Sequence, residues 1–261
     1  MIGLAGGGLM LSIWQPLPFV VGAVAIAVGT AVLAVGIRRR LGQGEGVSRH
    51  RGNPFATTWS LVRTDRALRN WAIANTLWEA ALAALRTFVA LYLIQGLGLS
   101  LAAASGALAL VGLAALVAAP VSGKLADRFG ARPVMLVALW VFALGALTAV
   151  IGSETILMVA VVPVAFAAVA LLTLPYSVLI GLLPGDRDHA AGASLFSTSR
   201  GLGVLAGPVL AGFAIDTFAG VPVLAFNETR GYAAAFLVTG VLLLASIPVV
   251  HRINFERAAA R

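Results

Sequence analysis

The chain has 261 residues, of which 60% are hydrophobic and 11% are charged, and its formal net charge is +8. A soluble domain carries about 25% charged residues on average, so this composition excludes a water-soluble globule and predicts an all-α integral membrane protein surrounded by the lipid bilayer. The chain has no cysteine and its three histidines lie singly, so the sequence offers no disulfide, no metal site and no catalytic cluster.

Seven apolar runs are long enough to cross a hydrocarbon core, which takes roughly 20 helical residues. They cover residues 17–37, 71–93, 101–121, 134–152, 156–183, 193–215 and 232–250. Residues 1–13 are also apolar but too short to cross, and we interpret them as the end of a further helix. The sequence therefore predicts about seven spans.

The polar gap between the first and second runs, residues 38–70, contains eight arginines and several glycines. This composition predicts a cytoplasmic linker between two domains, with a short surface helix over residues 57–68. The linker separates residues 1–37 from a six-span unit over residues 71–251.

Basic residues in short loops favour the cytoplasmic side of a membrane. Fifteen arginines and lysines fall after the first, third, fifth and seventh runs, against Arg230 alone in the alternate gaps. This asymmetry predicts a multi-pass protein with a cytoplasmic tail over residues 252–261. Because the charges lie in gaps and not on one amphipathic face, they indicate a membrane surface and not nucleic acid. The arginine-, alanine- and glycine-rich composition is typical of a bacterial protein, which places the chain in the cell membrane.

Two ionisable residues lie inside the second run, where a charge is costly and marks function by default. Glu79 falls near the middle of the run and Arg86 lies closer to its far end. Helical spacing aligns Trp71, Asn75, Glu79 and Arg86 on one face, which we expect to line a central cavity. Since Glu79 and Arg86 are too far apart to pair, each is expected to find a partner on another helix. Glu79 is the leading candidate for a protonation, cation-coupling or substrate-binding site.

Residues 123–133, GKLADRFGARP, place four charges and three helix-breaking residues between the third and fourth runs. Gly123 and Gly130 permit the backbone to end one helix and turn tightly. Pro133 suits the first turn of the next helix. The sequence predicts a short cytoplasmic turn here.

Later runs add further polar or small residues. Tyr176, beside Pro175, is a candidate binding residue at the inner end of its span, although such residues more often bond a helix backbone. Gly203 and Gly207 allow close helix approach, while Pro208 removes an amide and can bend the helix, so packing and a hinge explain them equally well.

The residue order in 123–133 resembles the G-x-L-a-D-r-x-G-r-k signature of major facilitator superfamily transporters. The run Gly203-x-x-x-Gly207-Pro208 resembles a glycine-proline motif of the same family. The order of linker, two spans, signature, four spans and tail is similar to the second half of such a transporter. The resemblance implies a six-helix C-terminal domain over residues 71–251. It also implies that residues 1–37 are part of span five and span six of an N-terminal half.

The family resemblance also implies a function. It implies alternating-access transport of a small-molecule substrate, without a cofactor, by symport or antiport coupled to H⁺ or another ion. The signature loop, with Gly123, Asp127, Arg128, Gly130 and Arg132, would act as a conformational latch against a missing N-terminal half. The alternative is a genuine seven-span protein that serves as a non-transporting receptor or scaffold. A membrane enzyme is disfavoured, because no nucleophile lies near a base and no metal ligands cluster.

Overall fold

The computed structural model of the protein describes Val24, Ala27, Val28, Trp59, Ser60 and residues 62–151, 154–183 and 189–253. Residues 1–13, most of the first predicted span, most of the linker and residues 254–261 of the tail lie outside the described residues. The domain organisation predicted for those segments stays a prediction.

The described part is helical, with short connections between long helices. Its helices are α1 (Arg66–Leu91, extended by a π-helical turn over Tyr92–Gly96), α2 (Leu101–Phe129), α3 (Ala131–Ile151), α4 (Glu154–Leu182), α5 (His189–Phe218) and α6 (Ala233–His251). Six helices of the described residues are long and apolar enough to cross a membrane. The predicted all-α membrane fold is confirmed.

The helices form one bundle, and among the described spans α1 and α6 have the largest buried shares. α1 packs against α5 and α6, α3 packs against α4 and α6, and α2 packs mainly against α4. The large side chains of Trp71, Trp78, Phe142 and Leu171 are fully buried in the resulting core. Close packing of this kind is the main attraction between helices in lipid, where the hydrophobic effect is absent.

α1 begins five residues before the apolar run that predicted it. Its N-cap is Asp65, whose carboxylate Oδ1 accepts hydrogen bonds from the backbone N–H groups of Ala67 at 2.7 Å and Leu68 at 3.5 Å. An aspartate at this position satisfies amides that have no partner inside the helix. The first turn of α1 is therefore helical although its residues are too polar to belong to the apolar run.

The turn between α2 and α3 is much shorter than the sequence predicted. α2 continues through Gly123 to Phe129 and α3 starts at Ala131, so Gly130 alone separates them. Its backbone, at φ 87° and ψ 151°, lies in a region that only glycine adopts without strain. The prediction that Gly123 ends a helix was wrong, because charged side chains mark the end of the apolar run but do not interrupt a helix. Pro133 lies in the first turn of α3, as predicted.

This turn allows a matched test of the two glycines. Gly130→Ala should lower the free energy of unfolding by about 1–3 kcal/mol, because alanine is strained at this backbone geometry. Gly123→Ala should raise it by about 0.5–1 kcal/mol, because the site is an open helix interior with no atom near the added carbon. Unfolding by sodium dodecyl sulfate in mixed micelles, followed by circular dichroism, measures both. Equal effects at the two positions would contradict the assignment of the turn to Gly130.

Candidate functional site

The polar face of α1 is buried against α5. Asn75 is fully buried and its Nδ2 donates a hydrogen bond to Ser199 Oγ at 2.8 Å. Its Oδ1 accepts from the indole Nε1 of Trp78, also at 2.8 Å. One turn earlier, Trp71 Nε1 donates to the backbone carbonyl of Pro175 at 3.2 Å. These bonds hold α1 against α4 and α5 and satisfy buried polar groups that would otherwise be costly.

Glu79 lies one turn beyond Asn75, and it forms an ion pair with Arg200 on α5. The distance between Glu79 Oε1 and Arg200 Nε is 3.5 Å. The Glu79 side chain is only 4% exposed, whereas that of Arg200 is 47% exposed and also lies over the Phe196 ring. Within the part of the chain that the structure describes, the second carboxylate oxygen, Oε2, is buried without a hydrogen-bond partner. Glu79 is thus a buried acid with one paired and one unpaired oxygen.

Two glycines make this pairing possible. A β-carbon at Gly203 would come within 2.5 Å of the Thr76 carbonyl oxygen and 2.8 Å of Glu79 Cβ. A β-carbon at Gly207 would collide with the backbone carbonyl of Ala80. The absence of side chains at both positions lets the two helix backbones approach closely, as in small-residue packing motifs of membrane helices. A hinge at Pro208, which lies inside α5, stays a prediction.

The structure differs from the expectation that the polar face of α1 lines an open cavity. Trp71, Asn75 and Glu79 do share one face, but α5 covers them and all three are buried. The exposed charge at this site belongs to Arg200, which is not among the candidate residues named from the sequence. A comparison of residue positions along the two helices could have identified Arg200 as the partner of Glu79. Glu79 lies 13 residues after the start of α1, and Arg200 lies 11 residues after the start of α5.

Among the described residues Arg86 forms no ion pair with Glu79, although its charge acts on the Glu79 carboxylate over a longer distance. The Arg86 side chain is exposed and lines a separate apolar pocket between α1, α2, α3 and α4. Tyr176 is 45% exposed, with its ring edge-on to Phe196 at a centroid distance of 5.3 Å. Tyr176 and Arg200 therefore share Phe196 as an aromatic neighbour.

The signature loop has a different environment. Asp127 and Arg128 are exposed, and among the described residues Asp127 has no hydrogen bond or ion pair. Arg132 Nη2 donates to the backbone carbonyl of His251 at 3.3 Å, so it binds the C-terminal end of α6, where cations are favourable. A latch function for this loop stays a prediction.

Within the described residues, no group of three or more histidine or acidic side chains is placed to hold a metal ion. The chemistry that the described site offers is therefore that of a buried carboxylate beside a half-exposed guanidinium. In such a pair the carboxylate can take up and release a proton, and the guanidinium can present a positive charge to an anion.

About two thirds of the chain match the model of a known protein family. No curated protein matches the chain. The sequence model of the Major Facilitator Superfamily matches residues 83–257, which is 175 of the 261 residues. The match covers α1 from Ala83 onward and all of α2 to α6, which are the helices that form the bundle. The chain thus belongs to the Major Facilitator Superfamily and is a multi-pass membrane protein of a transporter family.

Proposed function

We propose that this protein, together with the N-terminal half that the family resemblance implies, moves a small solute across the membrane as an alternating-access secondary carrier, and that Glu79 couples this movement to a proton. The observation that carries the proposal is the state of the Glu79 carboxylate. One oxygen pairs with Arg200 at 3.5 Å, while the other is buried and has no partner among the described residues. Buried ionisable groups of this kind are rare in membrane helices and typically serve ion pathways or substrate binding.

The ion pair between Glu79 and Arg200 links protonation of the carboxylate to release of the guanidinium. When Glu79 is ionised, its charge is compensated by the guanidinium of Arg200. When Glu79 takes up a proton, Arg200 loses that partner, and its half-exposed side chain is free to bind an anionic group from outside the bundle. Binding of a proton and exposure of a positive charge are thereby coupled through the same contact.

The surrounding packing supports this assignment. The closeness of Gly203 to Thr76 and Glu79 fixes α5 against α1, so movement of the Arg200 side chain does not require the helices to separate. Asn75 and Ser199 satisfy each other one turn away and do not compete for the carboxylate. The unpaired oxygen of Glu79 is therefore available for the proton.

Proteoliposomes that contain the full-length protein and a pH-sensitive dye test the proposal. A panel of labelled organic anions, sugars and lipophilic cations is offered, and solute uptake and proton movement are recorded together. We expect Glu79→Gln to reduce proton-driven accumulation by about ten-fold or more, the range typical of a coupling interaction, while solute exchange at equal pH continues.

Glu228→Gln is the matched control, because Glu228 carries the same charge on an exposed connection between α5 and α6. It should accumulate solute like the wild type. Wild-type proton coupling in Glu79→Gln would contradict the coupling role of Glu79. Failure of the folded wild type to move any solute of the panel would count against transport itself.

A further inference from the structure

A second candidate site is a pocket that neither Glu79 nor Arg200 lines. The pocket has a volume of about 240 Å³ and is bounded by α1, α2, α3 and α4, with one residue from α6. Its walls are apolar side chains that include Leu82, Val111, Phe142, Val164 and Phe236. Of the described residues that line it, Arg86 is the only charged one.

The position of Arg86 favours an anion as the ligand of this pocket. A guanidinium that borders apolar walls has lost part of its hydration, and an anion compensates that loss more strongly here than in water. The planar fork of arginine binds a carboxylate through two parallel hydrogen bonds. Because the Arg86 side chain is exposed as well as pocket-lining, an anion from outside the bundle can reach it.

The shape of the pocket restricts the remainder of the ligand. Its volume lies below the range of about 300–1,000 Å³ that holds drug-sized molecules, so a narrow apolar body fits best. Apart from Arg86, the walls offer apolar side chains and glycine. A hydrocarbon chain loses no hydrogen bonds when it enters such a pocket, whereas a sugar or a peptide would leave its polar groups without hydrogen-bond partners.

We propose that this pocket binds an amphiphilic monoanion, with its carboxylate on Arg86 and a single unbranched hydrocarbon chain between α1, α2, α3 and α4. The inference concerns binding alone and does not depend on transport or on Glu79. The same chemistry is available from a free medium-chain carboxylic acid or from an anionic membrane lipid, and the proposal commits to the free acid.

Equilibrium dialysis of radiolabelled decanoate against the full chain in zwitterionic nanodiscs tests the proposal, with empty nanodiscs as the reference for partitioning into lipid. We expect saturable binding of decanoate that is about ten-fold tighter than that of decanol, since a charge-assisted contact is lost in the alcohol. Decyltrimethylammonium should show no saturable binding, because its charge has the wrong sign.

Two pairs of variants separate the charge from the apolar pocket. Arg86→Gln should remove the preference for decanoate over decanol, while Arg69→Gln, an exposed arginine of the same helix, should keep it. Ala115→Phe fills the pocket and should abolish binding of both compounds, while Ala107→Phe, on an exposed part of α2, should leave it unchanged. Circular dichroism verifies that each variant is folded.

Several results would overturn the proposal. One is decanoate binding that is no greater than in empty nanodiscs, and another is binding that survives Arg86→Gln or Ala115→Phe at wild-type strength. A third is the loss of decanoate binding when the discs contain anionic phospholipid, because a lipid headgroup would then be the occupant.

Discussion

Gly207→Val is expected to lower the free energy of unfolding by at least about 3 kcal/mol, the upper part of the range for overpacked interiors. The new side chain would meet the backbone carbonyl of Ala80, which cannot rotate away as a flexible side chain can. The collision must therefore be relieved by moving α5 away from α1. That movement also separates Arg200 from Glu79, whose ion pair spans 3.5 Å across the same interface.

Gly201→Val is the control for this prediction. Gly201 lies on the same helix, and a β-carbon there has no atom within 4 Å. The substitution should change stability by about 0.5 kcal/mol or less, as exposed positions usually do. Unfolding in sodium dodecyl sulfate micelles measures both variants, and similar losses at the two glycines would show that α1 and α5 are not in backbone contact.

Arg200→Gln is expected to be the most damaging of the single changes to the ion pair. It leaves the Glu79 carboxylate, only 4% exposed, without its positive partner. Removing one member of a fully buried pair costs about 3–5 kcal/mol, but the Arg200 side chain is 47% exposed and solvent screens the pair, so we expect a loss of about 1–2 kcal/mol. Glu79→Gln should cost less, since the 47% exposed Arg200 side chain can turn toward solvent.

A double-mutant cycle measures the interaction between these two residues. In the Glu79→Gln background, Arg200→Gln should cost at least about 1 kcal/mol less than it does in the wild type. Arg69→Gln provides the comparison for loss of an exposed arginine and should add independently of Glu79. Strictly additive losses for Glu79 and Arg200 would mean that the two residues do not interact.

The helices themselves were largely predictable from hydropathy. Each of the six described spans matches an apolar run of the sequence, because about 20 apolar residues are needed wherever a helix crosses lipid. The ends were less predictable. α2 extends eight residues past the apolar run that ended at Val121, since hydropathy reports contact with lipid and not helical conformation.

The candidate site was predictable only in part. Glu79 and Asn75 were identified because a polar group inside a span is costly wherever it lies. The partner of Glu79 was not identified. The polar face of α1 was expected to line a cavity, whereas it is buried. A single helix shows which residues share a face, but it does not show what covers that face.

The membrane location, the positions of the spans, the glycine-rich motifs and the family could all be predicted from the sequence, because each of these depends on residue types within a short stretch of chain. The hydrogen bond between Asn75 and Ser199, 124 residues away, and the pairing of Glu79 with Arg200 could be identified only in the folded bundle. Both contacts require α1 and α5 to be neighbours. That neighbourhood results from close packing at Gly203 and Gly207 and not from any local pattern.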